Sequence, residues 1–114
     1  MKITQTMIEA SYKYGVAYAQ DKVSAEKAVE EIVNISGMNA SSAQNAITNL
    51  KNILNGKKYH WTMSANETIW KFDQIKKDFG DAVYHQALSA LELHGKTRGL
   101  QPRLETSLAS NKWS

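Results

Sequence analysis

The chain has no cysteine and a single proline, Pro102, in 114 residues. Without cysteine it can form no disulfide and offers no thiolate as metal ligand or nucleophile; a reducing, cytoplasmic setting is expected. No apolar run approaches the roughly 20 residues of a membrane-spanning helix. The opening Met1-Lys2-Ile3-Thr4-Gln5-Thr6-Met7 also lacks the apolar centre of a secretory signal. No membrane partner is therefore expected. Sustained period-two alternation, the mark of half-buried strands, is missing as well. Charge is absent from one long stretch: Ser36 to Leu50 contains no Asp, Glu, Lys or Arg, in a chain where 22% of residues are charged.

The apolar residues that are present, 42% of the chain, recur at helical spacing in five segments. The first runs from about Gln5 to Gln20, with Thr6 and Glu9 as a capping box and Ile8, Tyr12, Gly15 and Ala19 on one stripe. The second starts after Ser24, buries Ala25, Ala28, Val29, Ile32 and Val33, and ends at Gly37. Asn39 caps the third, with Ala43, Ala46, Ile47, Leu50 and Leu54 inward and Gly56 as its stop. Ser64-Ala65-Asn66-Glu67 is a capping box for the fourth, whose stripe is Ile69, Phe72, Ile75 and Phe79 before Gly80. Asp81 opens the fifth, with Val83, Ala87, Ala90, Leu91 and His94 inward and Gly95 at its end. The expected fold is all-α, a small bundle of about five helices containing a helix-turn-helix-like pair. Residues 1–96 form the helical domain, and 97–114 a basic tail, either flexible or carrying a short helix over Leu104–Ala109.

Catalytic chemistry finds no support in the spacing. His85 and His94 are nine apart on one helix and cannot share an ion as an i, i+4 pair would; His60 has no second ligand near it in sequence. Each imidazole is expected to be half-buried or on the surface. Asp73, Asp78 and Asp81 fall across a helix end, and Glu30 and Glu31 point apart. No glycine-rich phosphate loop, zinc spacing or nucleophile elbow occurs. The expectation is a protein that is not an enzyme, with no metal, no cofactor and no evident small-molecule substrate.

Interaction is the stronger signal. The second and third helices, joined by Ser36-Gly37-Met38-Asn39, have the pattern of a helix-turn-helix, in which the outer face of the later helix enters the major groove. That face offers Ser41, Gln44, Asn45, Thr48 and Asn52, joined by Asn49 in the uncharged amide run. Asn and Gln can bond adenine edges in bidentate fashion, while Lys51, Lys57 and Lys58 can hold phosphate. Tyr59, His60 and Trp61 can stack on bases, anchor a protein interface, or plug the gap between the third and fourth helices. The net charge of +3 is uneven: residues 1–35 hold four lysines against five acids, and residues 51–114 ten basic residues against six acids. The basic half favours an anionic partner or serves solubility alone.

Four boxes extend this reading. They are Met38-Asn39-x-x-Ser42-Ala43-x-Asn45-x-Ile47-x-Asn49, Leu54-Asn55-Gly56-x-Lys58-Tyr59-x-x-Thr62-Met63, Ile75-x-x-Asp78-Phe79-Gly80, and Ala87-Leu88-x-Ala90-Leu91-x-x-His94. Together, over roughly residues 4 to 96, they resemble the helical N-terminal region of certain bacterial HNH-type restriction endonucleases. The resemblance implies an all-helical accessory domain for DNA binding or positioning. The chain departs from the family in having Trp61 where a basic residue usually precedes the Thr-Met pair, and Gly95-Lys96-Thr97-Arg98-Gly99 where a basic aromatic segment follows. The HNH catalytic module is absent from these residues. Two partners follow as expectations: duplex DNA, or a host nuclease complex that a small phage or mobile-element protein of anti-CRISPR or anti-restriction type binds and inhibits.

Overall fold

A computed structural model describes residues 3–94. The expected domain boundary at residue 96, the tail and its short helix lie outside these residues. Among the described residues the protein is all-α: α1 (Gln5–Ala19), α2 (Ala25–Ser36), α3 (Ala40–Leu54), α4 (Ala65–Phe79) and α5 (Asp81–His94), with no strand. No helix among them is long and apolar enough to cross a membrane.

Side-chain oxygens start four of the helices by accepting otherwise orphaned backbone N–H groups. Ser24 accepts from Lys27 at 3.1 Å, Asn39 from Ser41 and Ser42 at 2.8 and 3.3 Å, and Ser64 from Glu67 at 3.1 Å. The first helix departs from expectation. Thr4, not Thr6, is its cap, accepting from Met7 N–H at 3.2 Å, and Thr6 already lies in the first turn. The Ser64 box is also only half made, because the Glu67 carboxylate bonds Lys71 rather than turning back to its cap.

Two buried clusters fill the interior. Met7, Ala10, Ala28, Ile32, Met38, Ala43 and Ile47 join α1, α2 and the first half of α3. Tyr12, Leu50, Ile53, Tyr59, Phe72, Ile75, Tyr84 and Leu91 join the second half of α3 to α1, α4, α5 and the loop after α3. The expected stripes shift by one residue in two places. Ile53 rather than Leu54, and Tyr84 rather than Val83, are the buried members, Leu54 and Val83 being half-buried against the same cluster. Helices α2 and α3 pack against each other across the three-residue turn Gly37–Asn39.

Gly15 sets the distance between α1 and α3. A Cβ there would lie 2.6 Å from Leu50 Cδ2 and 3.2 Å from Leu50 Cβ, so only a residue without a side chain permits this approach. Gly56 plays a similar part against α5: its φ of 67° is left-handed, and a Cβ would meet Gln86 Cγ at 2.8 Å. Gly15→Val is accordingly expected to destabilise the protein by about 1–3 kcal/mol through overpacking, measured by urea denaturation. An unchanged midpoint would show that α1 and α3 can part at no cost.

Candidate interaction surface

The buried arc of α3 carries Ala43, Ile47, Leu50 and Ile53, and at about 100° per residue this leaves Ser41, Gln44, Thr48, Lys51 and Asn52 along one outer stripe, with Asn45 at its edge. Ser41 and Gln44 are exposed; Asn45, Thr48, Lys51 and Asn52 are half-buried. The stripe is partly self-bonded. Thr48 donates its hydroxyl to Gln44 O at 2.9 Å, and Gln44 Nε2 donates to Thr48 Oγ1 at 3.2 Å. At its N-terminal end, Ser41, Gln44 and Asn45 line an open groove of about 650 Å³ against Ala25, Glu26 and Val29 of α2.

Asn49 does not belong to this surface. It is buried, and its amide clamps the following loop: Nδ2 donates to Trp61 O at 2.7 Å and Oδ1 accepts from Trp61 N–H at 3.3 Å. The pairing satisfies one loop residue completely and fixes where Trp61 stands. Its indole, with the residue 52% exposed, sits beside Asn45 on the rim of a second cleft.

The loop sorts its aromatic residues in opposite directions. Tyr59, expected among the partner-binding residues, is 1% exposed and lies in the core, so it cannot stack on a base. Its ring stacks on His94, with centroids 4.2 Å apart and planes within 10°. His94 is buried rather than half-buried. Its Nδ1 lies 2.7 Å from the Tyr59 carbonyl oxygen, which can only accept, so Nδ1 carries a proton; Nε2 lies 3.3 Å from Thr62 Oγ1. His60, Lys57 and Lys58 are exposed. Lys51 is drawn aside, its ammonium 5.0 Å from the centre of the Tyr18 ring, a cation–π contact that competes with any phosphate. His85 is exposed and bonds the Asp81 carbonyl one turn back at 2.9 Å, about two and a half turns from His94. Among the described residues no three His, Asp or Glu side chains converge as metal ligands would.

One feature of the site is unheralded by the boxes above. Lys71 and Glu67, one turn apart on α4, form an ion pair at 2.7 Å with side chains only 1% and 8% exposed. Burial lowers the Lys71 ammonium's pKa below its ordinary value, and the Glu67 carboxylate offsets this only in part. Its sequence signal is the i, i+4 Glu-to-Lys spacing, which by itself reads as an ordinary surface pair. Burial also pushes the Tyr59 and Tyr84 phenols up to about 12 each.

No family model, curated protein or solved structure matches the chain.

Two outcomes follow from the buried groups. Lys71→Ala leaves Glu67 buried without its counter-charge and is expected to cost about 3–5 kcal/mol, whereas Glu67→Leu combined with Lys71→Met should cost far less. Equal losses in denaturation of the two variants would show that the pair's charge is not what matters. For the tyrosines, a phenol whose pKa is raised on folding contributes stability fully present below its unfolded value of about 10 and lost as pH climbs from there towards about 12. Urea midpoints should therefore fall through that window. Tyr59→Phe should make the fall shallower; an identical slope in that variant would remove Tyr59 from the account.

Proposed function

We propose that this protein is a non-catalytic helical domain that binds duplex DNA through the outer face of α3, of the kind its sequence boxes resemble upstream of HNH-type restriction endonucleases. The observation that carries the reading is the line of neutral hydroxyl and amide groups along one face of the second helix of a helix-turn-helix-like pair. From Ser41 to Asn52 that line runs roughly 16 Å at 1.5 Å per residue, long enough to cross the major groove with Gln44, Asn45 and Asn52 as donor–acceptor groups for base edges. The exposed Lys57 and Lys58 follow directly after the helix and supply phosphate contacts. Lys51 contributes little while its ammonium rests on Tyr18.

A second reading has its own observation. Glu30 and Glu31 pair with Lys27, whereas Glu26, a carboxylate that repels phosphate, lines the same groove as Ser41, Gln44 and Asn45. Next to it stands Trp61, exposed but held by two backbone bonds to Asn49, as a preorganised anchor for a protein partner would be. The partner in that case is a host nuclease complex, and the protein acts as its inhibitor.

Salt separates the two. With two exposed lysines the affinity for duplex DNA should be modest, and log Kd should change with log salt at a slope of about 2, since each phosphate contact contributes about 0.9. Lys57→Ala with Lys58→Ala should flatten that slope nearly completely, while Asn45→Ala should relax sequence preference and leave the slope intact. Fluorescence anisotropy with short duplexes measures both. Absence of duplex binding at low salt, together with salt-insensitive binding to a purified nuclease that Trp61→Ala abolishes, would hand the function to the second reading.

A further inference from the structure

Beside the open face of α3 lies a smaller cleft of different build. It has a volume of about 250 Å³ between α3, the loop before α4 and the first turn of α4, with Asn45, Trp61, Thr62 and Glu67 among its polar and aromatic lining and Met38 and Met63 among its apolar walls. Pockets for drug-sized ligands hold roughly 300–1,000 Å³, so this one suits a group the size of a single ring system.

Its chemistry narrows the occupant. The Glu67 side chain is 92% buried, being 8% exposed, yet it opens on the cleft. Oε2 accepts from Lys71 Nζ at 2.7 Å. Oε1 takes no hydrogen bond from the described residues, and it is not sealed from solvent, since no buried side-chain oxygen among them is left without a partner. Because Lys71 already neutralises the carboxylate, a second cation gains little there, while a neutral N–H finds a strong acceptor. Asn45, whose amide makes no hydrogen bond to the described residues, adds a donor and an acceptor on the neighbouring wall. Trp61 offers an indole face whose backbone is fixed by Asn49. A flat ligand with an apolar face and an edge that both donates and accepts meets all three.

We infer that this cleft receives a single unstacked nucleobase, its edge bonded to Glu67 Oε1 and the Asn45 amide and its face against Trp61. The inference rests on the DNA-binding reading for where the base comes from. Extruded from a duplex lying along α3, it would arrive next to Asn45, which lines both the open groove and the cleft. The same chemistry would hold the base of a free nucleotide. Extrusion from a duplex costs a few kcal/mol and least for a mispaired base, so a mispair is the natural probe.

The full chain is titrated by fluorescence anisotropy with two short duplexes identical except for one central mispair, and by NMR with adenosine and cytidine monophosphate, following the Trp61 indole N–H signal. The mispaired duplex is expected to bind roughly tenfold more tightly, a factor equal to about 1.4 kcal/mol. Asn45→Ala and Trp61→Ala should each bring that ratio close to one, as should Glu67→Leu with Lys71→Met, which removes the acceptor without stranding the lysine. Lys57→Ala with Lys58→Ala should weaken both duplexes and keep the ratio. Equal binding of the two duplexes, or a preference that survives Asn45→Ala and Trp61→Ala, overturns the nucleobase site and leaves DNA binding standing. Binding of no duplex, with a mononucleotide shift of the Trp61 signal that Asn45→Ala abolishes, upholds the site for free nucleotides and removes the DNA reading. Silence in both experiments removes both.

Discussion

Helix α3 has to serve two cores at once, and the rest of the molecule is arranged around that demand. Its first half packs with α1 and α2 through Ala43 and Ile47; its second half packs with α1, α4 and α5 through Leu50 and Ile53. Each contact consumes an apolar position, and at 3.6 residues per turn the buried arc then spans every apolar residue of α3 but the exposed Ala40 and the half-covered Ala46 and Leu54. What remains outside is mostly polar. That it carries a single charge, Lys51, is a further choice of the sequence, and it leaves a surface that is cheap to desolvate compared with a lysine and glutamate face.

The close approach at Gly15 and Leu50 holds the two cores together, and the Asn49 clamp ties the loop to them. Asn49 stands on the flank of α3 rather than on its outer stripe, so its two bonds to the Trp61 backbone run sideways along the helix. The consequence is an alternation in the loop. Tyr59 and Met63 go into the core, while His60 and Trp61 stay outside. His94, at the far end of α5, completes the arrangement by stacking on Tyr59 and bonding its carbonyl, which connects α5 to the loop. The exposed face and the core are thus built from neighbouring residues of one short segment.

Electrostatics divide the surface in a way the overall charge of +3 does not convey. Of the α2 acids, Glu26 lines the groove beside α3 while Glu30 and Glu31 pair with Lys27; the exposed Lys57 and Lys58 follow the other end of α3. Of the remaining lysines near the site, Lys51 rests on an aromatic ring and Lys71 is buried against Glu67. Both are removed from the pool of free positive charge. A buried pair of this kind costs desolvation that its attraction barely repays, and of its two residues only Glu67 lines the smaller cleft.

Much of this was legible in the residues alone. Five helices, the glycine stops at Gly37 and Gly80 and three of the four caps follow from local rules, because capping bonds and helical stripes need only residues three or four apart. The outer stripe of α3 follows for the same reason: once Ala43, Ile47 and Leu50 are inward, Ser41, Gln44, Thr48 and Asn52 are outward. Tertiary structure decided the rest. Asn49 and Asn45 are the same chemistry four residues apart, and only the path of a loop twelve residues on makes one a clamp and leaves the other free. Tyr59 and Trp61 are both aromatic neighbours of lysines, and only the position of His94, thirty-five residues away, draws one inward. Glu67 and Lys71 read as a surface pair until neighbouring segments cover them. In each case the deciding partner is distant in sequence, and burial, which sets the energy of an amide, a ring or a charge, is a property of the packed chain and not of the segment.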